Sequence, residues 1–322
     1  MTFAGTTYAT KLRTMKRILT LCLLCLGAAA ASAQDTAPQD TAAAQPVRPV
    51  TNVLSLQAGS ARVRDTYLTP LLYDGAALGV HYERWRVMRH GRLTNQQQAR
   101  LDFARGQDRH RHSEQWAGRI DYRYALHWTV ARPAGFTTAR PRPGACTLLV
   151  GPYAGASLGF DYNLKLATAN NPATLRLAEA VGASALATCY YRIRRQAVPV
   201  QLHVQMPLVG SAFVPEYGAS YYETFYLDHT DGDMRFTSLH NRHDLDLRLT
   251  TDLPLYGLFR RFLTRCDYTL RLGVAVHHEA MRQNDILTRY TSVQAVVGLV
   301  FQQIPFSRKR EALIRNSYNP AF

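Results

Sequence analysis

A two-residue repeat held from Trp116 to Val130 restricts the chain more than any other feature. Trp116, Gly118, Ile120, Tyr122, Tyr124, Leu126, Trp128 and Val130 alternate with Ala117, Arg119, Asp121, Arg123, Ala125, His127 and Thr129. A period of two puts the first set on one face of an extended strand and the charges on the other. The run is about three times the usual strand length. Between the two tryptophans the strand would climb roughly 40 Å, or about 30 Å if tilted near 40°. That height matches a bilayer crossing with an aromatic residue at each interface.

The same alternation recurs along the chain. Strands are expected at Val53–Arg64, Ala77–Arg89, Gln96–Arg105, Thr147–Tyr162, Leu175–Arg194 and Val198–Met206, then around Leu245–Leu249, Tyr268–Val276 and Tyr290–Phe301. With the opening stretch this gives an all-β chain, a transmembrane antiparallel β-barrel of about ten strands, with eight to twelve open. On Thr147–Tyr162 one face is small, with Gly151, Gly155, Ser157 and Gly159, which suits a narrow lumen shared by many side chains.

One continuous apolar run exists, Ile18 to Ala31, behind Met15-Lys16-Arg17 and ahead of Ala31-Ser32-Ala33. It reads as a secretory signal peptide with an upstream extension, residues 1–33. Residues 34–50 form an Ala-, Gln-, Thr- and Pro-rich disordered leader, 51–303 the barrel, and 304–322 a periplasmic tail. Cys146, Cys189 and Cys266 then remain, too few and too far apart for a disulfide framework, with Cys189 packed or lipid-facing. The net charge of +15 is carried almost wholly by arginine, read first as solvated or lumenal side chains. The second reading is attraction to outer-membrane lipid, lipopolysaccharide phosphates or a small anionic ligand. Nucleic acid is not expected as a partner, since no recognition motif accompanies the charge.

With the N-terminus periplasmic, the connections 65–75, 106–112, 163–173, 207–240 and 280–289 face outward. The fourth is a long Tyr-rich loop. Its Tyr217, Tyr221 and Tyr222 with Glu216 and Glu223 could bind a ligand by stacking and hydrogen bonding, assisted by the inward-facing Arg119 and Arg123. Asp228, Asp231 and Asp233 around Gly232 read as a turn rather than a cation loop, and His277 and His278 alternate to opposite faces, so no metal or cofactor is expected. His81, His127 and His203 fall on inward faces and could approach Asp121, Asp161 or Asp246.

Two stretches carry a resemblance. The first is Tyr67-Leu68-Thr69-Pro70-Leu71 with Tyr73-Asp74-Gly75. The second is Pro207-Leu208-Val209-Gly210 with Phe213 to Glu223, and Asn170-Asn171-Pro172 lies between them. Together they resemble an uncharacterised exported outer-membrane β-barrel family of Bacteroidetes, a domain of unknown function. That resemblance implies a location and a lineage and brings no activity.

The function expected is therefore a surface-binding or structural barrel, or a narrow solute channel, monomeric and inserted by the barrel-assembly machinery. The rivals are a barrel enzyme acting on lipid or lipopolysaccharide, which needs an inward Ser or Asp in hydrogen-bond reach of a lumenal His near one rim, and a soluble exported β-sandwich.

Overall fold

The computed structural model describes residues 50–88, 92–132, 144–166, 172–193, 196–214, 233–254 and 269–303. The signal peptide, the leader, the tail and all five named residues of the Tyr-rich loop lie outside these.

Eleven strands follow one another: β1 Val50–Asp65, β2 Thr69–Met88, β3 Leu93–Gln107, β4 Glu114–Ala131, β5 Cys146–Asn163, β6 Ala173–Ile193, β7 Gln196–Phe213, β8 Met234–Ser238, β9 Arg242–Pro254, β10 Thr269–Gln283 and β11 Ile286–Gln303. Every pairing is between antiparallel neighbours, β1 pairs with β11, and β6 pairs with β7, so the sheet closes on itself. β8 and β9 both pair with β7, β8 against Val209–Phe213 and β9 against Val200–Gln205. They are two halves of one stave, broken at 239–241, and the ring has ten staves. The β-sandwich alternative is excluded, because the strands form one closed layer.

Each strand is longer than its alternation suggests. β2 starts at Thr69, inside the expected 65–75 loop, and β7 runs to Phe213, inside the expected 207–240 loop. The expected 280–289 loop is the two-residue turn Asn284–Asp285, with φ of 51° and 60°. Both values are left-handed, the signature of a tight type I′ hairpin, and Asn and Asp tolerate it. Proline and glycine at 70, 75, 207 and 210 mimic loop composition while sitting in strands.

The outward face is apolar. Leu56, Leu78, Leu101, Ile120, Val181, Leu249 and Val297 lie there, all exposed. Aromatic residues flank the belt: Trp116, with Phe103 edge-on at 6.1 Å, and Phe160 towards one rim, Tyr82, Trp128 and Tyr191 towards the other. The inward face is polar and buried. This inside-out arrangement is that of a barrel spanning a membrane, where a closed ring leaves no backbone group unpaired. The terminal rim holds Val50 and Gln303; the distal rim holds the turns at 66–68, 108–113 and 284–285.

Cys146 and Cys189 face each other across β5 and β6 and form a disulfide with Cα atoms 4.1 Å apart. This corrects the expectation of no cross-link. Forty-three residues separate the pair in sequence, but the hairpin returns β6 onto β5 in the register that makes them direct neighbours. Disulfides persist in oxidising compartments, which agrees with export.

Candidate functional site

The site is the lumen, because the two-fold alternation sends every second residue of all ten staves into a space only one side chain deep. Near the terminal rim Trp85, Leu149 and Leu186 pack together, each at most 5% exposed, with the buried Thr94, Thr147 and Thr188 on their rim side. His127 stacks on Trp85 at 5.7 Å, and His203 meets the same ring at 6.0 Å.

Beneath it Ser184 joins two histidines. Its Oγ is 2.8 Å from His127 Nε2 and 3.0 Å from His203 Nε2, and it accepts from Gln205 at 3.3 Å. Gln98 Nε2 lies 3.4 Å from His203 Nδ1; with the Gln98 amide in this orientation, His203 Nδ1 accepts and its Nε2 carries the proton. His203 then donates to Ser184, and Ser184 has its proton left for His127 Nε2. His127 Nδ1 would carry hydrogen and has no partner among the described residues. This is a serine aimed at a base, without the carboxylate that would orient the base, and Ser184 is 1% exposed.

The middle of the lumen is a lattice of ions. Arg100 binds Asp121, Asp246 at 2.6 Å and Asp102 at 3.2 Å. Asp246 also receives Arg123 at 3.2 Å and Arg248 at 3.1 Å. Glu83 receives Arg248 at 3.1 Å, Arg271 at 3.3 Å and Trp85 Nε1 at 2.9 Å, and Arg271 grips Asp252 at 2.7 Å. Towards the distal rim Asp161 is shared by Arg119 at 3.0 Å and Arg176, Arg176 reaches Asp65 at 2.9 Å, and Arg242 pairs with Asp244. Arg119 also lies 4.8 Å over the Tyr290 ring and 3.7 Å from Glu279.

Seven lumenal arginines thus face nine carboxylates among the described residues. The interior is rich in arginine but not cationic; among the described residues the positive excess lies on the rims and the outer face. Nor do the histidines find the aspartates expected for them. Those aspartates are held by guanidinium groups, which offer several donors in a fixed fork, and His81 instead pairs with Glu83 at 3.2 Å. Only His277 approaches Asp246, at 3.6 Å.

Of the seven residues expected to bind a ligand, two lie within the described structure, and they differ. Arg119 is buried and gripped by Asp161. Arg123 keeps some exposure, bonds Gln205 Oε1 at 3.0 Å, and lines a void with Tyr153, Gly155, Ser157, Ala180 and Arg242. The small wall of β5 and β6 creates this void, yet only about 20 Å³ of it admits a water-sized molecule, room for about one water. A second void beside Arg100 and Arg248 admits none.

At the distal rim the 108–113 loop is pinned by Asp108, whose carboxylate accepts from the Ser113 amide at 2.9 Å. That bond holds the Asp108 pKa below the usual carboxylate range, with the His112 and His110 amides adding to it. A depressed folded-state pKa stabilises above the unfolded value and loses that stabilisation as pH falls through the folded one. Asp108→Asn is therefore expected to loosen the loop at pH 7. The difference from wild type should vanish on acidification below both pKa values, read by protease cleavage at Arg109 and Arg111 across pH with an acid-tolerant protease as reference. A difference that persists at low pH would remove the carboxylate from the account.

Solved structures similar in outline include the outer membrane protease OmpT from Escherichia coli, at 6% identity and a TM-score of 0.43, covering 81% of this chain and 99% of that one. The transport unit of the autotransporter AIDA-I from Escherichia coli follows at 6% and 0.38, covering 84% and 94%. The translocator domain of autotransporter NalP from Neisseria meningitidis stands at 7% and 0.30, covering 92% and 97%. Scores and identities this low transfer neither residues nor activity. No curated protein matches the chain. Residues 18–310, which take in every strand described above, match the family described as protein of unknown function (DUF3316), and the chain belongs to that family.

Proposed function

We propose that this is an outer-membrane barrel that works through its surface and not through an open pore. The observation that carries the reading is the filled lumen: an apolar cluster and buried threonines near the terminal rim, an ion lattice behind them, and a void with room for about one water. A side chain that must leave a pairing of two or three charges to open a path makes passive conduction costly. The outward apolar belt and its aromatic flanks support insertion in a bilayer. The disulfide supports an exported compartment, and export together with a β-barrel favours the outer membrane. The sequence motifs of the β1–β2 turn and of β7 support the Bacteroidetes lineage read from them.

On this reading ligands or partners meet the distal connections, with the Tyr217–Glu223 loop the first candidate. The purified barrel in planar bilayers should show no large, steady conductance; a stable open level would reject the closed lumen. Cell fractionation with heat-modifiable gel mobility should place a folded barrel in the outer membrane, and recovery in the soluble fraction would reject the location.

The enzyme reading keeps one favourable observation, the Ser184 hydroxyl within reach of His127. A hydrolase built on it should label at Ser184 with a fluorophosphonate in the folded state. Labelling only after unfolding would reject it.

A further inference from the structure

We propose that the outer face of the distal rim, across β10, β11 and β1, is a binding site for the phosphate groups of a glycolipid in the outer leaflet. It rests on the membrane placement above, and not on whether the lumen conducts.

The site is built by register. Arg64 on β1 stands directly opposite Arg289 on β11. Arg62 is opposite Thr291 and so diagonal to Arg289. Arg282 on β10 is opposite Leu287, which makes it diagonal to Arg289 from the other side. Three guanidinium groups therefore surround that of Arg289 on the outward face. Like charges directly opposite each other on a sheet are destabilising, so such a pair asks for a counter-ion.

The protein supplies little of it. Arg62 is paired with Asp74 at 2.6 Å. Among the described residues no carboxylate lies within ion-pair distance of Arg64, Arg282 or Arg289, and the buried Arg64 Nε has no hydrogen-bond partner. On this same rim Arg105 is paired with Glu114 at 2.6 Å.

The setting selects the anion. On β11 the outward residues below Arg289 are Thr291, then Val293, Ala295, Val297 and Leu299; on β1, below Arg62, they are Ser60, Ala58, Leu56 and Leu54. Cationic forks thus stand at the edge of an apolar stripe on the same strands. A ligand with phosphates above several acyl chains satisfies both halves, and a free anion satisfies one. Guanidinium groups suit phosphate oxygens because their donors bind them bidentately. The frame is also held in place. Thr66 donates its amide to Leu287 O at 3.1 Å and accepts the Leu287 amide at 2.7 Å, tying the β1–β2 turn to the start of β11.

The test uses the full mature barrel in detergent, titrated with bisphosphorylated lipid A, with lipid A stripped of its phosphates, with phosphatidylglycerol, and with inorganic phosphate. Bound lipid is counted by native mass spectrometry. Bisphosphorylated lipid A is expected to bind, and loss of its phosphates to weaken it about tenfold or more. The variant Arg64→Gln/Arg289→Gln should lose the same factor, while Arg84→Gln/Arg92→Gln at the opposite rim should stay within about twofold. Heat-modifiable mobility checks that each variant folds, and the wild-type comparison of phosphorylated with stripped lipid stands even if one does not. Equal binding of stripped lipid A, or equal loss in both variants, overturns the site. Equal retention of phosphatidylglycerol or of inorganic phosphate overturns its assignment to the glycolipid.

Discussion

Replacing Arg100 by methionine should destabilise the barrel by about 3–5 kcal/mol, the usual cost of leaving a buried charge without its partner. Arg100 touches three carboxylates, Asp102, Asp121 and Asp246, and is 6% exposed. Methionine fills much of the same volume, so the loss is electrostatic rather than a cavity. The lattice already holds more carboxylates than arginines, and removal of Arg100 widens that imbalance where water cannot relieve it. Arg105→Met is the matched control. Its pair with Glu114 has good geometry, but the arginine side chain is 62% exposed, so solvent screens the pair and its loss should barely move stability. Urea unfolding in lipid vesicles, followed by tryptophan fluorescence and gel mobility, measures both. Equal midpoints for the two variants would mean that the lattice adds nothing to stability. A second variant, Arg100→Met/Asp121→Asn, should recover part of the loss by removing one orphaned charge.

The Cys146→Ser/Cys189→Ser variant should lose up to about 4 kcal/mol. The link closes a loop across a separation of 43 residues, and the chain-entropy account of such a loop gives about that figure at 25 °C. Unfolding with and without reductant separates the effect from the serine substitutions: wild type should move towards the variant when reduced, and the variant should not move. Identical midpoints in all four conditions would leave the cross-link without a stabilising role.

The membrane architecture was legible because a period of two is a backbone property. Wherever Arg119, Asp121, Ala125 and His127 alternate with Ile120, Tyr124 and Trp128, the faces follow without any tertiary knowledge. The small face of β5 was equally plain, and it is where the structure leaves its void. Strand ends were less legible. Pro207 and Gly210 punctuate a sequence like loop residues, yet β7 carries them where its pairing with β6 shifts register near Val181 and Gly182. The partners inside the lumen were not legible at all. Which Asp meets which Arg depends on the stagger between staves far apart in sequence, such as Arg100 and Asp246, 146 positions apart. The same holds for the disulfide and for Ser184 between two histidines. The rim arginines were visible only as composition, since nothing in the sequence marks Arg64 and Arg289 as opposite each other.

The pairing of β1 with β11 runs from Val50↔Gln303 to Asp65↔Thr288. The ring can therefore be sealed only once the last stretch of chain has been delivered, and until then it carries two unsatisfied edges. Such edges template unwanted strand addition. A chain shortened before Ile286 would lose the seam itself, so termination late in synthesis should be as damaging as termination early. Val50 and Gln303, by contrast, stand directly opposite each other on one rim, away from the mouth that holds the turn at 284–285.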